Sequence, residues 1–294
     1  MPKAADSTVQ RRRLRAELRG ARQATGRTQK DVAEALDWSP SKLLRIETGS
    51  VSISTTDLRA LLDQYGITDP ERIATLVAMA QNAKKQPWSA YKSVLAREFL
   101  VYLGFEGSAS IIRNFEPLLV PGLLQTEEYA ETIIRTYASG EDTQSVVEMR
   151  VQARLERQEI LMRAEPPQTF FILDEAVIHR WVGGSEVMRQ QLEHLKSLGG
   201  LPNVSIQILP YEAGAHPGMT GAFVLLEFAD PADDDVLYLE DARGDMVTRD
   251  DPIDTAEFVN TFWELERIST RPDQLEQVID RVLREMEASG SGPG

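Results

Sequence analysis

An α+β fold in two parts is predicted for this chain of 294 residues: an all-α N-terminal domain of five short helices, then a mixed α/β domain. Three observations predict it. Up to about residue 85, apolar residues recur only at helical spacing. Beyond that point, β-type runs such as VSIQIL (204–209) interleave with helical stretches. Charge also divides along the chain: residues 1–60 hold 12 Lys and Arg against 7 Asp and Glu, a surplus of 5, and the remainder holds 20 against 39. The formal net charge of −14 therefore hides a basic head on an acidic body, the asymmetry expected when one face meets phosphate and the rest must not. Domains over 1–86 and 87–288 follow, with a flexible tail over 289–294. The boundary lies at Lys84-Lys85-Gln86-Pro87, where charge and proline interrupt the periodicity.

The first helix spans Val9–Ala24. Leu14, Leu18 and Ala21 form its inner stripe, and Arg11, Arg12, Arg13, Arg15, Arg19 and Arg22 give it a dense cationic surface. Gly26 ends it. Thr28 caps a second helix, its hydroxyl placed to accept from a free N–H of the first turn, with Gln29 as the first helical residue. Val32, Ala33 and Leu36 make one apolar edge, and the small Ala33 lets another helix cross closely. Asp37 stands where the chain must turn, and Asp tolerates the left-handed conformation better than most non-glycine residues. Ser39-Pro40 restarts a helix, Ser as cap and Pro at the first position, where no N–H is needed. Leu43 and Ile46 face inward, Pro40, Ser41, Lys42 and Arg45 point outward, and Gly49 is the C-cap. Ser54–Tyr65, stopped by Gly66, and Pro70–Lys85 complete the five.

A helix with a polar, partly cationic outer face, carried on a second helix through a tight turn, fits the DNA major groove. The stretch Thr28–Gly49, TQKDVAEALDWSPSKLLRIETG, resembles the helix-turn-helix of the phage-repressor-like (Xre) regulators at nearly every position of their pattern. It departs twice. Asp37 replaces the usual turn glycine, and Leu44 stands where such proteins usually carry a polar, DNA-facing residue. Leu44 either touches a thymine methyl or packs on a neighbouring helix, and the sequence leaves both open. The expected base contacts are Arg45 and Lys42, with Ser41 and Gln29 at bases or phosphates, beside Ser39 and Pro40 at the start of the reading helix. Arg11, Arg12 and Arg13 are expected at backbone phosphates.

The second part is read as follows. Tyr91–Leu103 is helical, and Ser108–Glu116 is a candidate strand. Pro117–Thr126 is a loop of high apolar content, because two prolines and Gly122 prevent regular structure while four leucines demand burial. Glu127–Tyr137 is a helix with an acidic first turn, and Val146–Arg163 a long one. Thr169–Leu173 is a buried strand, Asp174–Trp181 a helix capped by Asp174, and Ser185–Leu198 another helix. Val204–Leu209 is a strand; Gly221–Phe228 and Asp235–Glu240 pair as an antiparallel hairpin around an acidic turn. Phe258–Ile268 and Asp273–Glu287 close the domain.

VPGLLQTEEYA, RLERQ (154–158), FILDEAVIHRWVGG, PNVSIQILPYEAGAHPG and GAFVLLEF are together similar to the C-terminal domain of an actinobacterial regulator family that joins an Xre-type head to a body of unknown function. With the head, the resemblance spans roughly residues 10–287. It implies transcriptional control and a small partner protein encoded nearby, an arrangement sometimes described as antitoxin-like.

Chemistry in the body is sparse. With no cysteine, disulfides, thiolate metal sites and a cysteine nucleophile are excluded. His179 and His194 lie on separate helices without a second ligand at metal spacing, and the acidic DPADDD turn lacks the glycine and closing Glu of a calcium loop. No G-x-S-x-G, P-loop or dinucleotide fingerprint is present, so no catalytic residue, metal or cofactor is expected. Leu123, Leu124 and Gln125 of the PGLLQT loop either plug the core or wall a ligand or partner site. His216, in GAHPGMTG, either lines a pocket or belongs to a mobile turn. No apolar stretch approaches the roughly 20 residues that span a bilayer, and no signal peptide stands at the N-terminus. The expectation is a cytoplasmic, homodimeric regulator that binds double-stranded DNA, its body answering to a small-molecule effector or a partner protein. The competing reading is an antitoxin-like protein that sequesters a small partner and regulates its own operon.

Overall fold

A computed structural model describes residues 7–48, 51–82, 88–140, 142–231, 233–240, 246–249 and 252–290. The chain forms two compact units, Met1–Ala90 and Tyr91–Gly294. The fold is α+β: among the described residues the first unit has five α-helices and the second a mixed sheet with covering helices.

In the head, α1 (Ser7–Ala24), α2 (Gln29–Ala35), α3 (Pro40–Glu47), α4 (Thr55–Gln64) and α5 (Pro70–Asn82) surround one apolar centre. Leu14 and Leu18 of α1, Val32 of α2, Leu43 and Ile46 of α3, the three leucines of α4 and Leu76 and Ala80 of α5 meet there. The spacing of these residues is why each segment is a helix and why it turns that face inward. The expected extension of the fifth helix to Lys85, the boundary residues Lys84–Pro87 and the Gly49 cap lie outside the described residues.

Among the described residues of the body, six strands run in the order β3-β2-β1-β4-β5-β6. They are β1 (Ile111–Glu116), β2 (Gln168–Asp174), β3 (Val204–Leu209), β4 (Phe223–Glu227), β5 (Val236–Glu240) and β6 (Met246–Arg249). The first three are parallel and the last three antiparallel. Between β1 and β2 come α7 (Glu127–Thr136) and α8 (Gln144–Gln158); between β2 and β3 come α9 (Glu175–His179) and α10 (Ser185–Gly199). α11 (Pro252–Ile268) lies against β3, β4 and β5. It closes one sheet face around Phe115, Ile172, Phe223, Leu225, Leu237, Phe262 and Leu265. α12 (Leu275–Gly290) packs on α10.

Several boundaries differ from the sequence reading. The helix expected from Tyr91 is instead α6 (Arg97–Ser108), because Ala96 is extended and the N–H groups of Val94 and Leu95 fold back to the Tyr91 carbonyl. The long helix expected to Arg163 ends at Gln158 and tightens into a 3₁₀ turn over Glu159–Leu161. Strand β6 was not expected at all, and α11 starts at Pro252 rather than Phe258. Of the tail expected over 289–294, Ser289 and Gly290 belong to α12, and the rest lies outside the described residues. Among the described residues no helix is long and apolar enough to cross a membrane.

Candidate nucleic-acid interface

The turn between α2 and α3 is built by three local devices. Thr28 forms a capping box: its side chain accepts from Asp31 N at 3.2 Å, and its own N–H donates to Asp31 Oδ2 at 2.9 Å. Hydrogen bonding from Thr28, chiefly its backbone N–H, holds the Asp31 carboxyl pKa below its usual range. Asp37 takes the left-handed conformation at φ 54°, and Trp38 N–H then reaches back to the Ala33 carbonyl at 2.8 Å. Ser39 restarts the helix by accepting from Lys42 N, with Pro40 at the first position. Ala33 is fully buried, and α2 packs on α3.

The angle of α3 is held by Glu47, its last residue. Its carboxylate accepts from Arg22 Nε at 2.7 Å and Arg22 Nη2 at 3.1 Å, both from α1, and from Gln29 Nε2 at 2.7 Å, from α2. The Glu47 side chain is 3% exposed and that of Arg22 13%. The hydrogen bond to Glu47 raises the Arg22 pKa above its usual value. Arg15 Nη1 of α1 donates to the Thr48 carbonyl at 2.8 Å, so α1 satisfies one of the acceptors at the end of α3.

This geometry sorts the residues expected at DNA. Ser39, Pro40, Ser41 and Arg45 are exposed, and Arg45 Nε donates only to the Ser41 carbonyl at 3.2 Å, with no ion pair among the described residues. Lys42, expected to point outward, is instead half-buried. Its ammonium pairs with Asp57 of α4 at 2.9 Å and sits 3.7 Å from the centre of the Trp38 ring. Gln29 is half-buried on Glu47 rather than free for a base. Arg11, Arg12 and Arg13 are half-buried on α1 and engaged in contacts, so the cationic surface is less open than its arginine count implies. Leu44, left open between two roles, is 47% exposed on the outer side of α3.

The body residues fall out differently. Leu123 and Leu124 are fully buried, and Gln125 with them, so the PGLLQT loop is a core plug and not the wall of an open site. Gln125 Nε2 donates to the Val120 carbonyl at 2.7 Å, Gln158 Nε2 to the carbonyls of Gly122 and Gln125, and Gln191 bridges Thr126 N and the Leu124 carbonyl. His216 is fixed rather than free in a turn. Its side chain is 8% exposed, with Nε2 3.8 Å from Asp174 Oδ2 and its ring edge-on to Phe115. Asp174 caps α9 as expected, through Ala176 N at 2.8 Å. His179 does have a carboxylate one turn away: Glu175, at 3.5 Å, which the sequence reading overlooked. Burial lowers the pKa of His194.

Residues 13–76 match the family model described as a helix-turn-helix domain, and residues 99–281 match the one described as a domain of unknown function (DUF5753). No curated protein and no solved structure matches the chain. With the second match covering more than half of its length, and the outward-facing α3 framed as described, the chain belongs to the DUF5753 family and carries a helix-turn-helix domain at its N-terminal end.

Proposed function

We propose that the chain is a sequence-specific transcriptional regulator of the Xre type, with no enzymatic activity, acting on double-stranded DNA in the cytoplasm. The observation that carries this reading is the outer face of α3. An arginine with no carboxylate partner among the described residues is presented there on a helix whose other side is locked to α1, α2 and α4. The surplus of positive charge over residues 1–60 supports it, because phosphate neutralisation supplies most of the affinity of such proteins. Ser39, Pro40 and Ser41 lie at the base edges or the adjoining phosphates, while Arg11–Arg13 exchange their present contacts for backbone phosphates.

The second unit serves dimerisation and response to a small ligand or partner protein. Leu118, Trp181, Tyr211 and Met219, all exposed, follow β1, β2 and β3 or precede β4, and so belong to one end of the sheet. That apolar rim favours a protein partner over a small molecule, which keeps the antitoxin-like reading as the alternative.

The test is fluorescence anisotropy on duplexes selected by the protein from a random pool, at several salt concentrations. Arg12→Ala is expected to weaken all duplexes alike and to flatten the log–log salt slope by about 0.9 for one lost phosphate contact. An unchanged slope removes Arg12 from the interface. Failure to enrich any duplex overturns the function.

A further inference from the structure

We propose that Leu44 reads the 5-methyl group of a thymine in the major groove, beside the base pair met by Arg45. The inference rests on the DNA-binding reading above and carries it from a surface to a base.

Four features of α3 lead there. First, the core is complete without Leu44: Leu43 and Ile46 of the same helix are 0% and 4% exposed. Second, at about 100° per residue, positions 41, 44, 45 and 48 fall within one arc of roughly 100°. Ser41, Leu44, Arg45 and Thr48 are all exposed, so they are that arc. Third, Lys42 is withdrawn to Asp57 and Trp38 and leaves the arc with one cation, two hydroxyls and one leucine. Fourth, Leu44 adjoins Arg45, whose guanidinium has no carboxylate among the described residues. An apolar protein partner would have to bury that charge with the leucine; a duplex meets both, phosphate or guanine for the cation and methyl for the leucine.

The groove's chemistry narrows the choice further. Serine and threonine hydroxyls accept or donate to any base, and arginine prefers guanine O6 and N7. Leucine makes no hydrogen bond, and the apolar group among the base edges of the major groove is the thymine methyl. A T·A pair adjacent to a G·C pair is therefore the signature that Leu44 and Arg45 select together.

The experiment uses the full chain and the tightest duplex recovered from a random pool. Each thymine is replaced singly by deoxyuridine, which deletes the methyl and leaves all hydrogen-bonding groups in place. Wild type is expected to bind about fourfold more weakly at one thymine per half-site, the worth of one buried methyl group. Leu44→Ala is expected to bind the parent duplex more weakly by a similar factor and to be indifferent to uracil at that position. Arg45→Ala should keep the thymine–uracil discrimination while losing its preference at the neighbouring guanine. Uracil tolerated at every position, on a duplex still bound tightly, overturns the role of Leu44 and leaves DNA binding intact. Uracil discrimination that persists in Leu44→Ala overturns it too, since another group then reads the methyl. Enrichment of no duplex at all sinks the underlying reading instead. Leu44→Ala removes exposed side-chain atoms, so an unchanged melting temperature verifies that folding is not the cause.

Discussion

Glu47 receives three hydrogen bonds from two other helices of the head, and its carboxylate is almost completely buried. Removing it leaves the Arg22 guanidinium mostly out of water with no counter-charge. Glu47→Ala is accordingly expected to destabilise the head by about 3 kcal/mol, the low end for breaking a buried pair because Arg22 keeps some solvent contact. Urea unfolding followed by circular dichroism measures it, and a loss under about 1 kcal/mol would show that Glu47 is not the tie between α1, α2 and α3. Arg45 behaves oppositely: among the described residues its guanidinium meets only the Ser41 carbonyl, on the exposed face, so Arg45→Ala should leave stability nearly unchanged. In DNA binding the same change is expected to cost about 1–3 kcal/mol and to relax preference at one base pair. A loss equal on all sequences would reject base reading. The contrast also marks what the sequence could say at this scale. Helical spacing put both Lys42 and Arg45 outside, yet only Arg45 is; the difference lies in Asp57 and Trp38, whose approach to Lys42 is a tertiary event that a single helix does not encode.

The segment Pro117–Thr126 shows how an element without regular structure is held. Val120, Leu123 and Leu124 are buried while Leu118 is exposed, so the backbone groups of the buried part have neither a ladder nor water, and side chains from the surrounding helices must pair with them. Gln191 of α10 takes two of these groups, accepting from Thr126 N at 2.7 Å and donating to the Leu124 carbonyl at 2.7 Å. Tyr129 of α7 holds Val120 N, and Gln158 of α8 two further carbonyls. Gln191→Leu adds apolar volume and still is expected to destabilise the body, by about 1–3 kcal/mol, because the buried Leu124 carbonyl loses its partner while the half-buried Thr126 N–H can turn to water. Thermal unfolding of the variant checks this, and a neutral result would mean that water replaces the amide. The burial of Leu123 and Leu124 was legible from prolines, a glycine and leucines in one short run, but of the four leucines expected inside, Leu118 is exposed and Leu119 only half-buried. Its fastening was not, since Gln191 stands 65 residues from Thr126. Strand β6 was missed for a related reason: four residues at a sheet edge acquire their conformation from pairing with β5, not from a pattern of their own. The early start of α11 was legible in principle, as Pro252 at a helix's first position is a local signal. The apolar periodicity, however, becomes plain only at Phe258.

At the level of the molecule, the acidic body and basic head set two requirements. The net charge of −14 opposes approach to DNA, so binding must be led by the few cations on α1 and α3 and must weaken steeply with salt. The exposed face of α3 and its cap offer Ser39, Pro40, Ser41, Leu44, Arg45 and Thr48 for base contacts, too few to specify a site alone. Two copies on one duplex multiply that information, provided that their reading helices reach grooves on the same side, roughly 34 Å or about 10 base pairs apart. A homodimer therefore predicts phase dependence. Inserting about 5 base pairs between the two half-sites of a selected duplex turns them to opposite faces and should reduce affinity to that of a single half-site. Inserting about 10 restores the phase and should recover much of the loss, the remainder reflecting the longer reach. Electrophoretic mobility of the full chain on the three duplexes reads this directly. A monotonic decline with spacing, or none, would mean that the heads bind independently, and the second unit would then have to be assigned a purpose other than pairing them.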